Sequence, residues 1–150
     1  MRNENSNNMI SLKTIVSIKI RFSETDAMGV VWHGNYLKLF EDGREEFGKE
    51  FGMSYLKVYG EGFFTPIVKS EVEHKAPIYY GEEVQVTATY IPTRAAKIVF
   101  QYEVMNLSTG KVCAIGQTIQ VFLQKDTREL ELFSPDFYKE WENKMGIKHK

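Results

Sequence analysis

One periodic stretch near the start of the chain predicts a long amphipathic helix. Its bulky side chains recur at roughly helical spacing, with one glycine in the same stripe and another directly after it: Tyr36, Phe40, Gly43, Phe47, Phe51 and Gly52. This spacing places the apolar side chains on one face of a helix, and a following glycine is a common stop signal. We predict a helix over residues 35–51, with the side-chain oxygen of Asn35 capping its first turn.

Alternating apolar and polar positions predict strands before and after this helix. Residues 14–22 alternate, with Ile18 and Ile20 on one side and Lys19 and Arg21 on the other. Four further strand candidates are separated by turn signals and cover residues 63–74, 83–90, 96–106 and 111–124. The connections between these later strands are too short for parallel crossovers, so we predict an α+β fold with an antiparallel sheet.

The remaining segments complete the predicted organisation. Residues 1–12 begin with a polar, asparagine-rich run, which predicts a flexible leader ahead of a single domain over residues 13–150. A short helix is expected over residues 54–59. Residues 134–145 predict a C-terminal helix whose apolar face packs or dimerises; that face carries Phe137, Tyr138, Trp141 and Met145.

Composition and charge narrow the class of protein. The net charge of −1 gives no general affinity for nucleic acid or for an anionic membrane. The sequence shows neither a signal peptide nor a run long enough to span a membrane, and Cys113, its single cysteine, suits a reducing cytoplasm. Three scattered histidines and one cysteine supply no set of metal ligands, so we expect no metal site.

The segment that leads into the long helix carries the candidate chemistry. Asp26 lies in a glycine-containing loop just before the predicted helix start. A helix start presents free N–H groups and partial positive charge, which favour an anion or a developing oxyanion. A carboxylate beside such donors has the two parts that acyl transfer needs. Asp and Gly are also ordinary turn residues, so the loop alone leaves a purely structural role open.

The wider sequence around Asp26 resembles a known family. The ordered run Thr-Asp-Ala-Met-Gly-Val-Val-Trp-His-Gly-Asn-Tyr at residues 25–36, followed by Phe40, Glu41 and Arg44, resembles the signature of hotdog-fold acyl-CoA thioesterases of the 4-hydroxybenzoyl-CoA thioesterase superfamily. The likeness extends over residues 14–124. It implies a hotdog fold, in which an antiparallel sheet of about five strands wraps around one long central helix, here followed by a C-terminal helix.

The resemblance also implies roles for the residues of the signature. Asp26 would attack the thioester carbonyl or activate water for that attack. His33 would donate to the carbonyl oxygen, through its ring or its backbone N–H, or would orient Asp26. The backbone N–H groups of Gly34 and Asn35 would supply the oxyanion site. In such a family the subunits pair their sheets edge to edge, so a dimer or tetramer with active sites at the subunit interface is expected.

Substrate-binding residues are expected outside the signature. Coenzyme A brings phosphates, and Arg94 and Lys97 match where relatives place basic residues near the nucleotide; Lys69 and Lys75 are weaker candidates. Arginine suits phosphate because its planar fork can bind two oxygens at once. Tyr36 should pack the helix against the sheet, with a second role in the pocket. The acyl pocket is expected around Tyr55, Phe63 and Phe64.

Together these features predict a cytoplasmic acyl-CoA thioesterase that releases a free acid and a thiol. The substrate would be a thioester of coenzyme A or of acyl carrier protein, with no cofactor beyond the coenzyme A of the substrate. Two alternatives remain: a hotdog hydratase or dehydratase, and an acyl-CoA-binding domain without catalysis. The spacing of Asp26 and His33 fits the hydrolase branch better. Glu41 and Arg44, three residues apart, would form a simple ion pair or support the site.

Overall fold

A computed structural model describes residues 12–149 of the chain. It contains seven strands and three helices, besides two short 3₁₀ turns at Phe22–Glu24 and His33–Asn35. In chain order the elements are β1 (Lys13–Lys19), α1 (Tyr36–Phe51), α2 (Tyr55–Gly60), β2 (Phe63–Phe64), β3 (Ile67–His74), β4 (Glu83–Ile91), β5 (Lys97–Asn106), β6 (Val112–Val121), β7 (Leu123–Gln124) and α3 (Asp136–Lys144). The predicted leader, residues 1–12, lies outside the described residues except for Leu12, which packs against the core.

Five strands form one antiparallel sheet in the order β1-β4-β5-β6-β3. This confirms the predicted sheet, but two of the predicted strands are divided. The strand expected over residues 63–74 is broken at Pro66, because proline has no N–H for a continuing ladder. The strand expected over residues 111–124 divides into β6 and β7, and β7 pairs with β2 in a separate two-stranded ribbon.

Helix α1 packs closely across one face of the sheet. A Cβ atom on Gly43 would lie 3.0 Å from Val86 and 3.3 Å from Ala88, so the helix lies directly over β4. On β6, Gly116 leaves room for the Phe40 ring, which is fully buried. The sheet therefore wraps around a single helix, as the family resemblance implied.

Helix α1 runs from one end of the sheet toward the other. We name the end at Lys19, His74 and Glu83 the Asp26 end, and the end at Ile67, Ile91 and Lys97 the hairpin end, because the β4–β5 hairpin lies there. The first residue of α1, Tyr36, packs its ring against His74 at a centroid distance of 4.7 Å. Its sixteen residues span roughly 24 Å, so α1 ends near the hairpin end.

The C-terminal helix α3 packs at the hairpin end. The indole N–H of Trp141 donates to the backbone carbonyl of Phe51, the last residue of α1, at 2.7 Å. Tyr138 and Trp141 are buried in the core, which agrees with the apolar face predicted for this segment. None of the helices in the described part of the chain combines the length and apolarity that crossing a membrane requires.

Candidate active site

Asp26 lies in a small hairpin that its own carboxylate stabilises. Its backbone N–H donates to Val30 at 2.8 Å, and its Oδ1 accepts from the backbone N–H groups of Met28 at 2.8 Å and Val30 at 3.4 Å. Gly29 has a φ of 80°, a conformation that favours glycine. Oδ2 has no hydrogen-bond partner among residues 12–149, so one oxygen holds the loop and the other remains available.

The neighbouring chain fixes the position of this hairpin. The N–H of Val31 donates to Ile78 at 2.8 Å, and the N–H of Tyr80 donates to Gly29 at 2.9 Å. A further bridge joins Val30 to Tyr79. The turn that leads into β4 therefore holds the Asp26 loop at one end of the sheet.

A buried carboxylate just before Asp26 ties the loop to the start of α1. Glu24 is almost fully buried and accepts from Arg21 through the backbone N–H at 2.7 Å and the guanidinium at 3.2 Å. Burial raises the pKa of Glu24, but the hydrogen bonds from Arg21 and the charges of Arg21 and Lys38 outweigh it, so the pKa lies below its usual value. Sequence reasoning missed Glu24, although its position before the signature marked it as a neighbour of the site.

Asn35 does not cap α1 in the way that the sequence suggested. Its side chain donates from Nδ2 to the backbone carbonyl of Glu24 at 2.8 Å, and no side-chain cap bond forms at the helix start. The same carbonyl accepts from the N–H of Trp32 at 3.1 Å. The Asn35 amide therefore joins the start of α1 to the Asp26 loop and does not cap the helix.

The turn at His33–Asn35 presents free donors. The N–H of Asn35 donates to Trp32 and that of Tyr36 donates to His33, but the N–H groups of His33 and Gly34 have no acceptor within residues 12–149. The indole of Trp32 covers this turn: a Cβ atom on Gly34 would lie 2.1 Å from the ring. A side chain at position 34 would therefore displace the ring of Trp32, a residue that sequence reasoning did not select.

A cleft of about 1080 Å³ lies at the hairpin end of the molecule. It is bounded by the second half of α1, by α2, by the β2–β3 connection, by the sheet and by α3. Tyr55 and Phe64, two of the residues predicted to surround an acyl pocket, line this cleft. Phe63 does not line it: its ring stacks on Phe137 at 5.6 Å in the core. Tyr36 is buried against His74 at the other end of the helix.

A polar cluster of α1 and the sheet borders the cleft. The Arg44 guanidinium donates to the Tyr102 hydroxyl at 2.9 Å, and that hydroxyl lies 2.6 Å from the Thr118 hydroxyl. The predicted ion pair with Glu41 is present but long, at 3.8 Å, and Glu41 is exposed. Arg44 therefore brings a positive charge to the cleft wall and is held mainly by the sheet.

The remaining predicted residues lie far from Asp26 within one chain. Arg94 and Lys97 are exposed on the β4–β5 hairpin, whereas Asp26 lies at the opposite end of the sheet. Nine residues of β4 span roughly 30 Å, too far for one side chain to bridge. In residues 12–149 no cluster of three or more His, Cys, Asp or Glu side chains is placed to hold a metal ion.

Comparison with known proteins assigns this arrangement to a family. A family model described as the thioesterase-like superfamily matches residues 20–141, most of the chain and all of the Asp26 loop. The chain belongs to the thioesterase-like superfamily. This membership confirms the resemblance found in residues 25–36.

Individual relatives agree with the family. A Bacillus subtilis protein named "Putative acyl-CoA thioesterase YneP" is 35% identical over 89 residues, which cover 59% of this chain and 64% of that protein. A solved DHNA-CoA thioesterase from Staphylococcus aureus is 29% identical and superposes with a TM-score of 0.75, covering 91% of this chain and 97% of its own. A Synechocystis 1,4-dihydroxy-2-naphthoyl-CoA thioesterase, 18% identical with a TM-score of 0.78 and coverages of 91% and 99%, shares the fold. The hotdog architecture is thereby confirmed.

Proposed function

We propose that this protein is a thioesterase that hydrolyses an acyl-CoA thioester to a free acid and a thiol. The observation that carries the proposal is the Asp26 hairpin, where a carboxylate with one free oxygen precedes a turn with two free N–H donors. The names of the Bacillus subtilis and Staphylococcus aureus relatives support the same reaction. The lone, buried Cys113 fits a reducing compartment such as the cytoplasm.

The two parts of the site perform complementary steps. As a general base, Asp26 takes a proton from water while the water oxygen attacks the thioester carbonyl carbon. The oxygen that becomes negative is stabilised by the N–H groups of His33 and Gly34. When the carbon–sulfur bond breaks, the departing thiolate takes the proton back from Asp26. As a nucleophile, Asp26 would instead attack the carbonyl carbon and expel the thiolate, which leaves a mixed anhydride. Water cleaves this anhydride to the free acid and the Asp26 carboxylate, with a proton of that water going to the thiolate.

The reaction can be tested by a thiol-release screen of the purified protein. Short, long, branched and aromatic acyl-CoAs are each supplied, and free thiol is measured. Release from at least one of them is expected. Addition of water across an enoyl-CoA without thiol release would point to a hydratase, and binding without either reaction would point to a domain without catalysis.

Asp26 and the cleft lie at opposite ends of the sheet, so a single subunit does not bring them together. We propose a dimer in which two β3 edges pair antiparallel. The outer edge of β3 has no partner strand among residues 12–149, and Ile67 and Val68 on it are 44% and 59% exposed. Antiparallel pairing lays the Asp26 end of one subunit beside the hairpin end of the other. Asp26 of one subunit would then serve the cleft, and the nucleotide-binding Arg94 and Lys97, of its partner.

The charges on β3 favour one register for this pairing. If Ser70 opposes its own copy, Lys69 faces Glu71 of the partner subunit on both sides of the symmetry axis. If Lys69 or Glu71 opposes its own copy, two like charges meet. If Val72 opposes its own copy, Glu71 faces Glu73 of the partner subunit, and two like charges meet again. Opposite charges stabilise a cross-strand pair and like charges destabilise it, so the register centred on Ser70 is preferred.

Light scattering and charge reversal test the dimer. Wild type should run as a dimer or a dimer of dimers. Lys69→Glu alone should weaken it, because two carboxylates then meet on each side of the axis, and adding Glu71→Lys should restore it. Under mild oxidation Ser70→Cys should form an inter-subunit disulfide more readily than Glu71→Cys, the matched control one position along. A fully active monomer at micromolar concentration would contradict the proposal.

The nucleotide contact has its own test. Replacing both Arg94 and Lys97 by alanine should raise KM for acyl-CoA and spare a short pantetheine thioester, because the smaller substrate lacks the phosphates. Loss of uniform binding appears in KM and not in the chemical step. Equal losses on both substrates would mean that this pair supports structure and does not bind the nucleotide.

A further inference from the structure

The far wall of the cleft is built from three buried aromatic side chains. Tyr90 comes from β4, and Tyr138 and Trp141 come from α3; all three line the cleft. The Trp141 ring packs against Tyr90 at a centroid distance of 5.4 Å and against Tyr138 at 5.5 Å. Since the three side chains also contact one another, they form a continuous wall of the cleft at the hairpin end.

Every polar atom of this wall is already engaged. The Tyr90 hydroxyl donates to Glu142 Oε2 at 2.7 Å, and the Tyr138 hydroxyl bonds to that of Tyr90. The Trp141 indole N–H donates to the backbone of Phe51. Burial raises the pKa of both tyrosines, so both stay neutral. These three side chains therefore offer a ligand no free donor and no charge, whereas Arg44 brings a positive charge elsewhere in the cleft.

Much of the cleft near this wall is also apolar. Its apolar side chains belong to α1, α2, β2 and β5 and to the loop after α1: Phe47, Met53, Val58, Phe64, Ile98 and Phe100. Charged side chains line the cleft as well, among them Lys49 and Arg128. Gln120 also lines the cleft, but its side-chain amide donates to the backbone of Thr65 at 2.7 Å, next to the β3 edge. A polar group carried against the wall itself would lose its water and find no free donor on Tyr90, Tyr138 or Trp141.

We infer that the cleft binds an extended, hydrocarbon-ended acyl chain and that α3, through Trp141, sets its maximum length. This inference rests on the proposed function, because it names the acyl group of the same site. It favours aliphatic acyl groups over hydroxylated aromatic ones, such as the naphthoyl group in the name of the Synechocystis protein. A cleft of about 1080 Å³ lies at the upper end of the sizes usual for small-molecule sites, which suits a long chain.

Binding of S-alkyl coenzyme A thioethers tests the inference without any hydrolysis. These probes carry the chain but lack the thioester carbonyl, and calorimetry on wild-type protein gives their Kd. Affinity should rise about fourfold for each added methylene until the chain meets the wall, and then stop rising. An S-(4-hydroxybenzyl) thioether should bind at least about tenfold more weakly than an alkyl probe of equal size, because its hydroxyl stays unpaired.

Two variants should change the usable length of the cleft in opposite directions. Trp141→Ala should lengthen the best chain by roughly two methylenes or more, because removing the indole opens the end of the cleft. Ile98→Phe should shorten it, and it keeps the test decisive if Trp141→Ala does not fold. Phe133→Ala is the matched control, since Phe133 is exposed just before α3 and does not line the cleft.

The outcomes separate this inference from the proposed function. Tighter binding of the hydroxybenzyl probe, or an unchanged best length in folded Ile98→Phe, would overturn the inference even if the protein is a thioesterase. The expected length profile in a protein that hydrolyses no thioester would overturn the proposed function alone.

Discussion

Replacing Gly116 by alanine should destabilise the fold at the point where α1, β6 and β3 come closest. The new Cβ atom would lie 2.3 Å from the Phe40 ring and 2.4 Å from the backbone carbonyl oxygen of Glu71. Reaching an ordinary contact of 3.4 Å requires each neighbour to move by about 1 Å. Phe40 is fully buried and stacked on Tyr102 at 4.4 Å, and the Glu71 carbonyl belongs to β3, so neither moves freely.

The expected loss can be given a magnitude. Overpacking a well-filled core costs about 1–3 kcal/mol, and we expect about 3 kcal/mol because one clashing atom is backbone. With a urea dependence of about 2 kcal/mol per molar, the unfolding midpoint should fall by about 1.5 M. Both proteins are compared at one protomer concentration, because the stability of the proposed dimer would depend on that concentration. Gly60→Ala is the control, because no atom lies within 4 Å of its Cβ position. A loss below about 1 kcal/mol for Gly116→Ala would refute the close packing.

Three further predictions concern the surroundings of the site. Glu24→Gln should lower stability at neutral pH, and the difference should shrink below pH 4.5, because the folded-state pKa of Glu24 is lowered; urea midpoints across this pH range test it. Gly34→Ala should push the Trp32 ring aside, shifting tryptophan fluorescence and lowering kcat/KM with little change in unfolding midpoint. Cys113 is buried and burial raises its pKa, so a thiol reagent should label it only in denaturant.

The sequence predicted the elements whose signal is local. The stripe from Tyr36 to Phe51 predicted α1 to within one residue. When a helix is buried along one face, apolar residues recur in its sequence at helical spacing. The order of the strands along the chain and the short turns between them were sufficient for an antiparallel sheet. Asp26 was selected through its signature and its catalytic role stays a prediction, while the structure shows which of its oxygens holds the loop.

What the sequence did not reveal depends on contacts between distant segments. The capping role assigned to Asn35 was wrong because its partner, the Glu24 carbonyl, lies eleven residues earlier and is brought near by folding. The Trp141–Phe51 bond that holds α3 against the cleft joins residues ninety positions apart. Local sequence patterns do not indicate contacts between residues so far apart in the chain. The break at Pro66 could have been predicted, because proline interrupts the hydrogen-bond ladder of a strand. The apolar residues on both sides of Pro66 led instead to the prediction of one continuous strand.

The central claim is that Asp26 performs the chemistry. Asp26→Asn keeps an oxygen that can accept from the N–H groups of Met28 and Val30, so the hairpin should persist, but it removes charge and basicity. The direct measurement is kcat for thiol release from the best acyl-CoA of the screen, with thioether binding and unfolding midpoint as controls. We predict that kcat falls by at least about 10²-fold while both controls stay nearly unchanged. An Asp26→Asn protein that keeps more than about half of the wild-type kcat would contradict the account.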